Sequence, residues 1–333
     1  MTHARLSRKV APAFALHVEF PMSAGVTALA GPSGAGKSLT LDLIAGFTRP
    51  DSGRILIDDA IVFDGETGVN LPPRRRRCAH VSSRDTLFPH LGLRDNLMFA
   101  AAHWARLERH KRVATMVEHF ALDESPASRL AARIARAILS EPHLLLIDEC
   151  GIGEDLLRRT AAAFPGPILL VTADLDLCYT SDAGLVLLEG GRIVQRGGAR
   201  ETIDAPQSLE AARLLGFDII FPAVITALDP GRRTSRLECE HFSLTGPYLP
   251  GHFNGDRVQV AVRARDLRVH SGEIEPGVNF VPLALVSASE RSRSVRLRFA
   301  HGVAAEPARD QWEKQRDNKS WQVEFPAAAL RVF

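Results

Sequence analysis

Hydrophobic residues follow two different patterns along the chain. In the larger N-terminal part, continuous apolar runs at residues 26–30, 144–147 and 168–171 contain no charged residue. Such runs are typical of parallel strands that are buried on both faces. After the first run, Leu41 and Ile44 follow the helical spacing of an apolar face. These patterns predict an α/β domain over residues 1–216.

Beyond residue 222 the pattern becomes one of strict alternation. Val258, Val260 and Val262 alternate with polar or small residues, and similar alternation recurs towards the C-terminus. A period of two is typical of strands with one buried face, and prolines and glycines mark turns between them. We predict an all-β domain over residues 222–333, a barrel of the oligonucleotide/oligosaccharide-binding (OB) kind.

Composition narrows the functional classes. The 333 residues are 45% hydrophobic and 24% charged, with 41 Lys and Arg against 39 Asp and Glu, for a net charge of +2. This balance argues against a nucleic-acid binder, which usually has a basic excess. The four cysteines form no CxxC pair, so neither a zinc site nor a disulfide framework is expected. No segment has the roughly 18 consecutive apolar residues of a membrane span, so a role at a membrane would need other chains.

A phosphate-binding loop is predicted directly after the first apolar run. The sequence matches G-x-x-x-x-G-K-[ST], in which glycines let successive backbone N–H groups point at phosphates and a helix N-terminus adds its positive dipole end. Lys37 is expected to reach the β- and γ-phosphates of ATP, and the Ser38 hydroxyl to ligate Mg²⁺. A chance glycine-rich turn is the alternative, which the position between strand and helix disfavours. The predicted nucleotide-binding residues are Gly31, Pro32, Ser33, Gly34, Ala35, Gly36, Lys37, Ser38 and Leu39.

A second apolar strand ends in two carboxylates, Asp148 and Glu149. Asp148 is expected at the Mg²⁺, and Glu149 is the candidate catalytic residue that polarises the attacking water. A solvated loop after a buried strand is the alternative, but the accompanying phosphate loop favours the catalytic interpretation.

Together with two further segments of the chain, these motifs resemble those of the ATPase subunits of ABC transporters. The likeness is carried by the phosphate loop, by residues 87–97 and by residues 135–142 before the carboxylate strand. Residues 53–58 and 71–76 and the β-rich tail are similar to the molybdate-importer ATPases, whose tail is a TOBE/Mop-like domain.

The resemblance implies a fold, a cofactor and partners. It implies a P-loop NTPase domain followed by a TOBE/Mop-like barrel, with ATP and Mg²⁺ bound. The implied partners are integral-membrane permease subunits, a second ATPase subunit in a homo- or heterodimer and, indirectly, a periplasmic substrate-binding protein. The implied location is the cytoplasmic face of the inner membrane, as a peripheral subunit.

The chain departs from the family pattern around this site. Pro126 and Ala127 replace the two glycines of the signature Leu-Ser-Gly-Gly-Gln, although Ser125 remains and could cap a helix. Ser83 stands where the family has the Q-loop glutamine, and Ala173 where it has the switch histidine. Each replacement removes a group that contacts the γ-phosphate, the metal or the attacking water. We therefore expect ATP binding with slow or absent hydrolysis.

Three interpretations stay open at this point. The chain is an importer ATPase that works as a homodimer, a catalytically impaired regulatory subunit that pairs with a complete ATPase chain, or a diverged paralogue without activity.

Weaker signals have simpler explanations. Phe14 stands where the family stacks an aromatic ring on adenine, but a core strand residue is favoured. The four-arginine run at residues 74–77 is expected to be a solvated loop rather than a phosphate contact. For residues 87–90, docking of a membrane subunit and ordinary packing are equally supported. In the tail only Asn279 survives from the family's oxyanion-binding segment, so oxyanion binding there is not expected.

Overall fold

The structure, a computed structural model, describes the chain in five stretches: residues 1–82, 87–148, 151–271, 278–316 and 320–333. The chain forms two compact units, Met1–Asp204 and Ala205–Phe333. The sequence pattern places the domain boundary between residues 216 and 222, whereas the second compact unit already includes the helix Leu209–Leu214.

The first unit contains both strands and helices. Its strands are β1 (Thr2–Ala11), β2 (Phe14–Met22), β3 (Gly25–Ala30), β4 (Ser52–Ile57), β5 (Ala60–Asp64), β6 (Val69–Asn70), β7 (Cys78–Ser82), β8 (Leu144–Asp148), β9 (Pro167–Val171), β10 (Gly184–Glu189) and β11 (Arg192–Gly198). Its helices are α1 (Lys37–Ala45), α2 (Leu93–Ala100), α3 (Arg106–His119), α4 (Arg129–Leu139), α5 (Glu154–Ala163), α6 (Leu175–Thr180) and α7 (Ala199–Asp204).

Among the described residues these strands form one sheet in the order β6-β5-β4-β1-β2-β11-β10-β3-β9-β8-β7. The segment β10-β3-β9-β8-β7 is parallel, as the apolar runs predict, and β1, β2, β4 and β5 are antiparallel. The carboxyl ends of β3, β9, β8 and β7 therefore lie at one edge of the sheet, where α/β folds place their ligand sites.

Two hydrophobic cores cover the two faces of the parallel segment. Leu144 and Leu146 of β8 belong to one core, which also contains Leu41 and Ile44 of α1. The alternate β8 residues belong to the other core, with residues from α2 and α4. Alternation along a strand sends successive side chains to opposite faces, and burial on both faces explains why β8 is apolar at every core position.

The second unit is built mainly from strands, which confirms the prediction of a β-rich tail. Its elements are α8 (Leu209–Leu214), β12 (Ile219–Asp229), β13 (Thr234–Cys239), β14 (Ser243–Pro247), β15 (Arg257–Val262), β16 (Arg268–Ser271), β17 (Phe280–Pro282), β18 (Leu285–Glu290), β19 (Val295–Phe299), β20 (Ala304–Ala305), α9 (Arg309–Glu313), β21 (Trp321–Glu324) and β22 (Arg331–Val332). The sheets β14-β13-β12-β15-β22, β16-β21-β17 and β18-β19-β20 share one core. The alternating valines of β15 lie in that core, as predicted.

The prediction that the four-arginine run is a solvated loop is wrong for Arg76, which is 1% exposed. Its Nη1 donates to the carbonyls of Leu43 and Ile44 in the last turn of α1, at 2.8 Å each. Its other nitrogens donate to the Leu71 carbonyl and the Asn70 side chain, also at 2.8 Å. Desolvation lowers the pKa of the guanidinium, while the position at a helix C-terminus favours its positive charge. The other three arginines of the run are exposed.

Among the described residues, no helix has both the length and the apolar character needed to cross a bilayer.

Candidate nucleotide-binding site

The glycine-rich loop connects β3 to α1, as predicted, and two of its glycines are sterically required. Gly31 has a φ of +152°, and a Cβ there would lie 2.0 Å from the Leu188 carbonyl oxygen. Gly36 has a φ of +106°, and a Cβ there would lie 2.7 Å from a Leu16 methyl group. Only a residue without a side chain lets the loop pass this close to β10 and β2.

Hydrogen bonds to the surrounding structure hold the loop in place, and several of its residues are exposed. The Ala35 carbonyl accepts a hydrogen bond from the Gly191 N–H at 3.1 Å, and the Thr40 hydroxyl donates to the Gly36 carbonyl at 2.9 Å. Pro32, Ser33, Gly34 and Ser38 are exposed. The first turn of α1 contains no acidic residue, so nothing in that turn offsets the positive end of the helix dipole. This arrangement suits an anionic ligand.

Lys37 extends back over the loop. Its Nζ donates to the carbonyls of Gly31 at 2.8 Å and Pro32 at 2.7 Å. The ammonium is therefore held at the open side of the loop, where it can meet phosphate oxygens.

The predicted metal ligand Asp148 ends β8, where it pairs in register with Ser82 of β7 and Val171 of β9. Since β9 also pairs with β3 in parallel, the Asp148 carboxylate and the loop lie at the same sheet edge. A carboxylate and the exposed Ser38 hydroxyl are oxygen ligands of the kind Mg²⁺ prefers, so these residues fit the predicted ion. The candidate catalytic residue Glu149 and the Q-loop position Ser83 lie outside the described residues.

The turn after β9 presents no imidazole. Ala173 is exposed, and the side chains of the residues on either side of it form local hydrogen bonds. The Thr172 hydroxyl accepts from the Asp174 N–H at 3.0 Å, and the Asp174 carboxylate caps α6 by accepting from the Leu177 N–H at 2.9 Å. Ala173, the position predicted to replace the switch histidine, therefore presents only a methyl group.

The segment at the signature position is organised around a carboxylate. Asp123 accepts from the hydroxyls of Ser125 and Ser128, at 2.5 Å each, and from the Ser125 N–H at 3.1 Å. These hydrogen bonds lower the pKa of the Asp123 carboxyl, and the bond from the Ser125 hydroxyl has the largest effect. The expectation that Ser125 caps a helix is wrong, because it makes no capping hydrogen bond to the 3₁₀ turn Pro126–Ser128. Its hydroxyl is bound to a carboxylate instead.

Phe14 lies beside the loop. It begins β2, is partly buried and packs against the core that contains Leu16. Its Cζ lies 3.3 Å from a Cβ built on Gly36. Phe14 is thus both a strand residue packed on the core and a neighbour of the nucleotide loop.

Asn96 organises the exposed turn at residues 88–92, a role that the sequence pattern did not predict. Its side chain is fully buried, accepts from the Phe88 N–H at 2.7 Å and donates to the carbonyls of Phe88, Leu91 and Gly92 at 3.0 to 3.2 Å. The Phe88 ring meets that of Phe99 edge-on at 4.8 Å, and Phe99 is 62% exposed. A polar residue within an apolar helix pattern was the available signal for this role.

In the tail, Asn279 has a structural role. It is 8% exposed, accepts from the Thr245 N–H at 2.6 Å and donates to the carbonyls of Thr245 and Phe325 at 2.8 and 2.9 Å. These bonds use its amide to join β14 to the residue after β21. Residues 276 and 277 of the same segment lie outside the described residues.

The loop between β3 and α1, with Lys37 over it and Asp148 at the same sheet edge, defines a P-loop nucleotide-binding protein. Comparison with known proteins narrows this class. The family model described as ABC transporter matches residues 17–151.

Several curated relatives match most of the chain. The molybdenum import ATP-binding protein ModC of Paramagnetospirillum magneticum is 31% identical over 284 residues, which cover 79% of this chain and 76% of the relative. ModC of Rhodospirillum rubrum is 33% identical over 253 residues, covering 67% and 68%. The molybdate/tungstate import ATP-binding protein WtpC of Archaeoglobus fulgidus is 35% identical over 235 residues, covering 65% and 95%.

Solved structures agree with the fold of the first unit. An ATP-binding subunit of an ABC transporter matches with a TM-score of 0.51 at 25% identity, covering 64% of this chain and 98% of that one. CbiO1 of Clostridium perfringens, part of the ABC transporter complex CbiONQ, matches with a TM-score of 0.52 at 20% identity, covering 66% and 94%. The chain therefore belongs to the ATP-binding subunits of ABC transporters, within the family of molybdenum import ATP-binding proteins.

Proposed function

We propose that this chain is the nucleotide-binding subunit of an importer for molybdate or a related oxyanion, and that it binds ATP and Mg²⁺ while hydrolysing ATP slowly. The substrate class is supported by relatives named for molybdenum, molybdate and tungstate import. In this proposal the chain is a peripheral subunit at the cytoplasmic face of the inner membrane and works through separate permease subunits.

The observation that carries ATP binding is the open loop with Lys37 held across it. Backbone N–H groups of the loop and the start of α1 would hold the phosphates, and the Lys37 ammonium would offset their charge. Ser38 and Asp148 would hold Mg²⁺, which would supply positive charge against the negative charge of the phosphates. None of these roles depends on the residues in which the chain departs from its family.

Slow hydrolysis is supported by the residues at the signature and switch positions. Pro126 has no N–H to donate, and the Ala173 side chain can neither carry a proton nor donate a hydrogen bond to a negatively charged oxygen. Removing one transition-state donor typically lowers a rate by about 10²–10³, and losses within one site do not simply add. The Asp123 carboxylate also places negative charge at the signature segment, where the family has donors to phosphate.

The exposed aromatic surface at the turn fixed by Asn96 supports a membrane-subunit partner. Phe88 and Phe99 contact each other there, and Phe99 remains largely exposed. Aromatic side chains are enriched at the centres of protein interfaces because they bury much area at small entropic cost. We assign this surface to the permease contact.

A mixed dimer with a complete ATPase chain is the second candidate. The specific observation in its favour is an asymmetry within one chain: the phosphate loop is complete, whereas Pro126 and Ala127 replace the signature glycines. A partner with an intact signature would complete the site at this chain's loop. Co-purification of a second, different ATPase chain would favour the mixed dimer, and a permease complex containing this chain alone would exclude it.

Nucleotide binding and hydrolysis by the wild type, Lys37→Ala and Glu149→Gln test the proposal. We expect the wild type to bind ATP with Mg²⁺, Lys37→Ala to bind at least about tenfold more weakly because a charge-assisted contact is lost, and Glu149→Gln to bind like the wild type. Turnover that is equal in all three proteins would identify a contaminating ATPase. A wild type that does not bind ATP would overturn the proposal.

A further inference from the structure

A polar groove lies across the antiparallel part of the sheet in the first unit. Its volume is about 680 Å³, and it crosses β1, β2 and β4 to reach the turn after β5. Its polar side chains are Arg5, Ser7, His17, Glu19, Ser52 and Glu66. None of these residues belongs to the nucleotide site.

Strand register brings three hydrogen-bonding groups together in this groove. Ser7 of β1 lies directly opposite His17 of β2 and, on its other side, opposite Ser52 of β4. The Ser7 hydroxyl and the His17 Nδ1 are hydrogen-bonded, which orients the ring and leaves its Nε2 as a second polar atom. Arg5 is two residues from Ser7 on the same strand, so its side chain lies on the same face.

The groove contains one positively charged side chain, Arg5. Nearby arginines are neutralised, since Arg8 pairs with Asp51 and Arg54 with Asp64. Arg5 is exposed and forms no ion pair in the part of the chain that the structure describes. A guanidinium beside serine hydroxyls and an imidazole is a set of donors suited to a tetrahedral oxyanion.

Two carboxylates also line the groove, and they decide which oxyanion fits. Glu19 lies opposite Arg5 in register and is 3.6 Å from the His3 imidazole. Glu66 stands at the turn, where its N–H donates to Asp64 at 2.9 Å. A free carboxylate repels an oxyanion that has lost every proton, but it can accept a hydrogen bond from one that retains an O–H. Inorganic phosphate retains this O–H near neutral pH, whereas sulfate and molybdate do not. A phosphate monoester, whose second pKa is about 6, retains it mainly below that pH.

We propose that this groove is a binding site for a protonated phosphate group. Arg5 supplies the counter-charge, and Glu66 accepts the hydrogen bond from the phosphate O–H. The Ser52 hydroxyl donates to the phosphate, and so does one member of the Ser7–His17 pair, since the hydrogen bond between these two side chains uses the donor of the other. The shared chemistry covers inorganic phosphate and, below about pH 6, phosphate monoesters. The proposal does not rest on the proposed transport function.

The groove is separate from the nucleotide loop because strand residues alternate between faces. On β2, the Leu16 side chain points towards the loop and would lie 2.7 Å from a Cβ on Gly36. His17, the next residue, therefore points to the opposite face of the sheet. Phosphate bound in the groove and phosphate bound in the loop can be distinguished by mutating one site at a time.

Isothermal titration of the full chain with inorganic phosphate tests the site. Because the nucleotide loop can also bind phosphate, the Lys37→Ala variant is the background for every measurement. In that background we expect Arg5→Gln to weaken phosphate binding at least about tenfold, because a charge-assisted contact is lost. Arg75→Gln, at an exposed arginine outside the groove, is the matched control and should leave phosphate binding unchanged. Circular dichroism confirms that each variant is folded.

Sulfate and O-phosphoserine complete the experiment. We expect sulfate to bind at least about tenfold more weakly than phosphate and Glu66→Gln to remove this discrimination, because an amide can donate to sulfate. At about pH 5.5, where both anions retain an O–H, tighter binding of O-phosphoserine than of phosphate would identify a phosphate ester as the ligand, and equal or weaker binding would identify the free ion. Absence of phosphate binding in the Lys37→Ala background, or equal binding with and without Arg5→Gln, would overturn the proposal.

Discussion

The Arg76 Nη1 donates a buried hydrogen bond to the Leu43 carbonyl at 2.8 Å. Leu43 lies near the C-terminal end of α1, and the nucleotide loop precedes the N-terminal end of the same helix. The same guanidinium binds the turn that leads into β7. One buried side chain therefore ties α1 to a segment about thirty residues away in sequence. Gly46 accommodates it, because a Cβ on Gly46 would lie 2.5 Å from the Arg76 Nε.

Replacing Arg76 should therefore destabilise the first unit. Arg76→Met leaves buried carbonyls at the end of α1 without donors, and we expect the free energy of unfolding to fall by about 2–4 kcal/mol. Arg75→Met, at an exposed position, should change it by less than about 0.5 kcal/mol. Urea unfolding of both variants beside the wild type checks this. Equal stability of all three proteins would show that Arg76 is not an anchor.

Gly31 and Gly34 should respond differently to alanine, although both have positive φ. At Gly31 the new methyl group would lie 2.0 Å from the Leu188 carbonyl oxygen, whereas at Gly34 nothing lies within 4 Å. We expect Gly31→Ala to displace the loop and weaken ATP binding at least about tenfold, and Gly34→Ala to show only the backbone strain of about 1–2 kcal/mol. Fluorescent ATP-analogue titrations compare the two. A stronger effect at Gly34 would contradict the loop geometry.

The described cysteines should be unreactive in the folded protein. Burial raises the pKa of the Cys78 thiol to about 11. The pKa values of Cys178 and Cys239 are raised to about 12, mainly by burial and further by a neighbouring carboxylate. Since the thiolate is the reactive form, alkylation at pH 8 should be slow in the native state and fast in urea. Mass spectrometry of a Cys150→Ser variant isolates these three thiols. Rapid native labelling of Cys178 would contradict the assigned burial.

The same pKa values predict an alkaline loss of stability. A thiol pKa raised in the folded state above its ordinary value near 9 stabilises the fold below that pH, and the contribution is lost as the pH rises through the folded pKa of about 11 to 12. Thermal unfolding between pH 8 and 11 should therefore show a falling Tm. Cys178→Ala should show a shallower fall than the wild type, and an identical slope would exclude this thiol as a source.

The sequence predicted the parts of the fold that rest on local patterns. Continuous apolar runs identified β8 and β9 because strands buried on both faces have no polar side, and the phosphate loop was identified because its chemistry needs fixed spacing. Arg76 was misjudged because a buried arginine and a solvated one look alike in sequence when the accepting groups are distant backbone carbonyls. The Asp123 contacts and the groove at Arg5 were also missed, since both depend on side-chain direction and cross-strand register.

In the proposed function, the site binds ATP but hydrolyses it slowly because the residues at the signature and switch positions contribute no donor to the phosphates. The most direct measurement is the steady-state ATPase rate of the wild type beside a variant carrying Pro126→Gly, Ala127→Gly and Ala173→His, with Glu149→Gln as the blank. We predict a wild-type rate near the blank, a rate at least about 10² higher in the restored variant, and similar ATP affinity in both. A wild-type rate that equals the restored rate and is lost in Glu149→Gln would contradict the account.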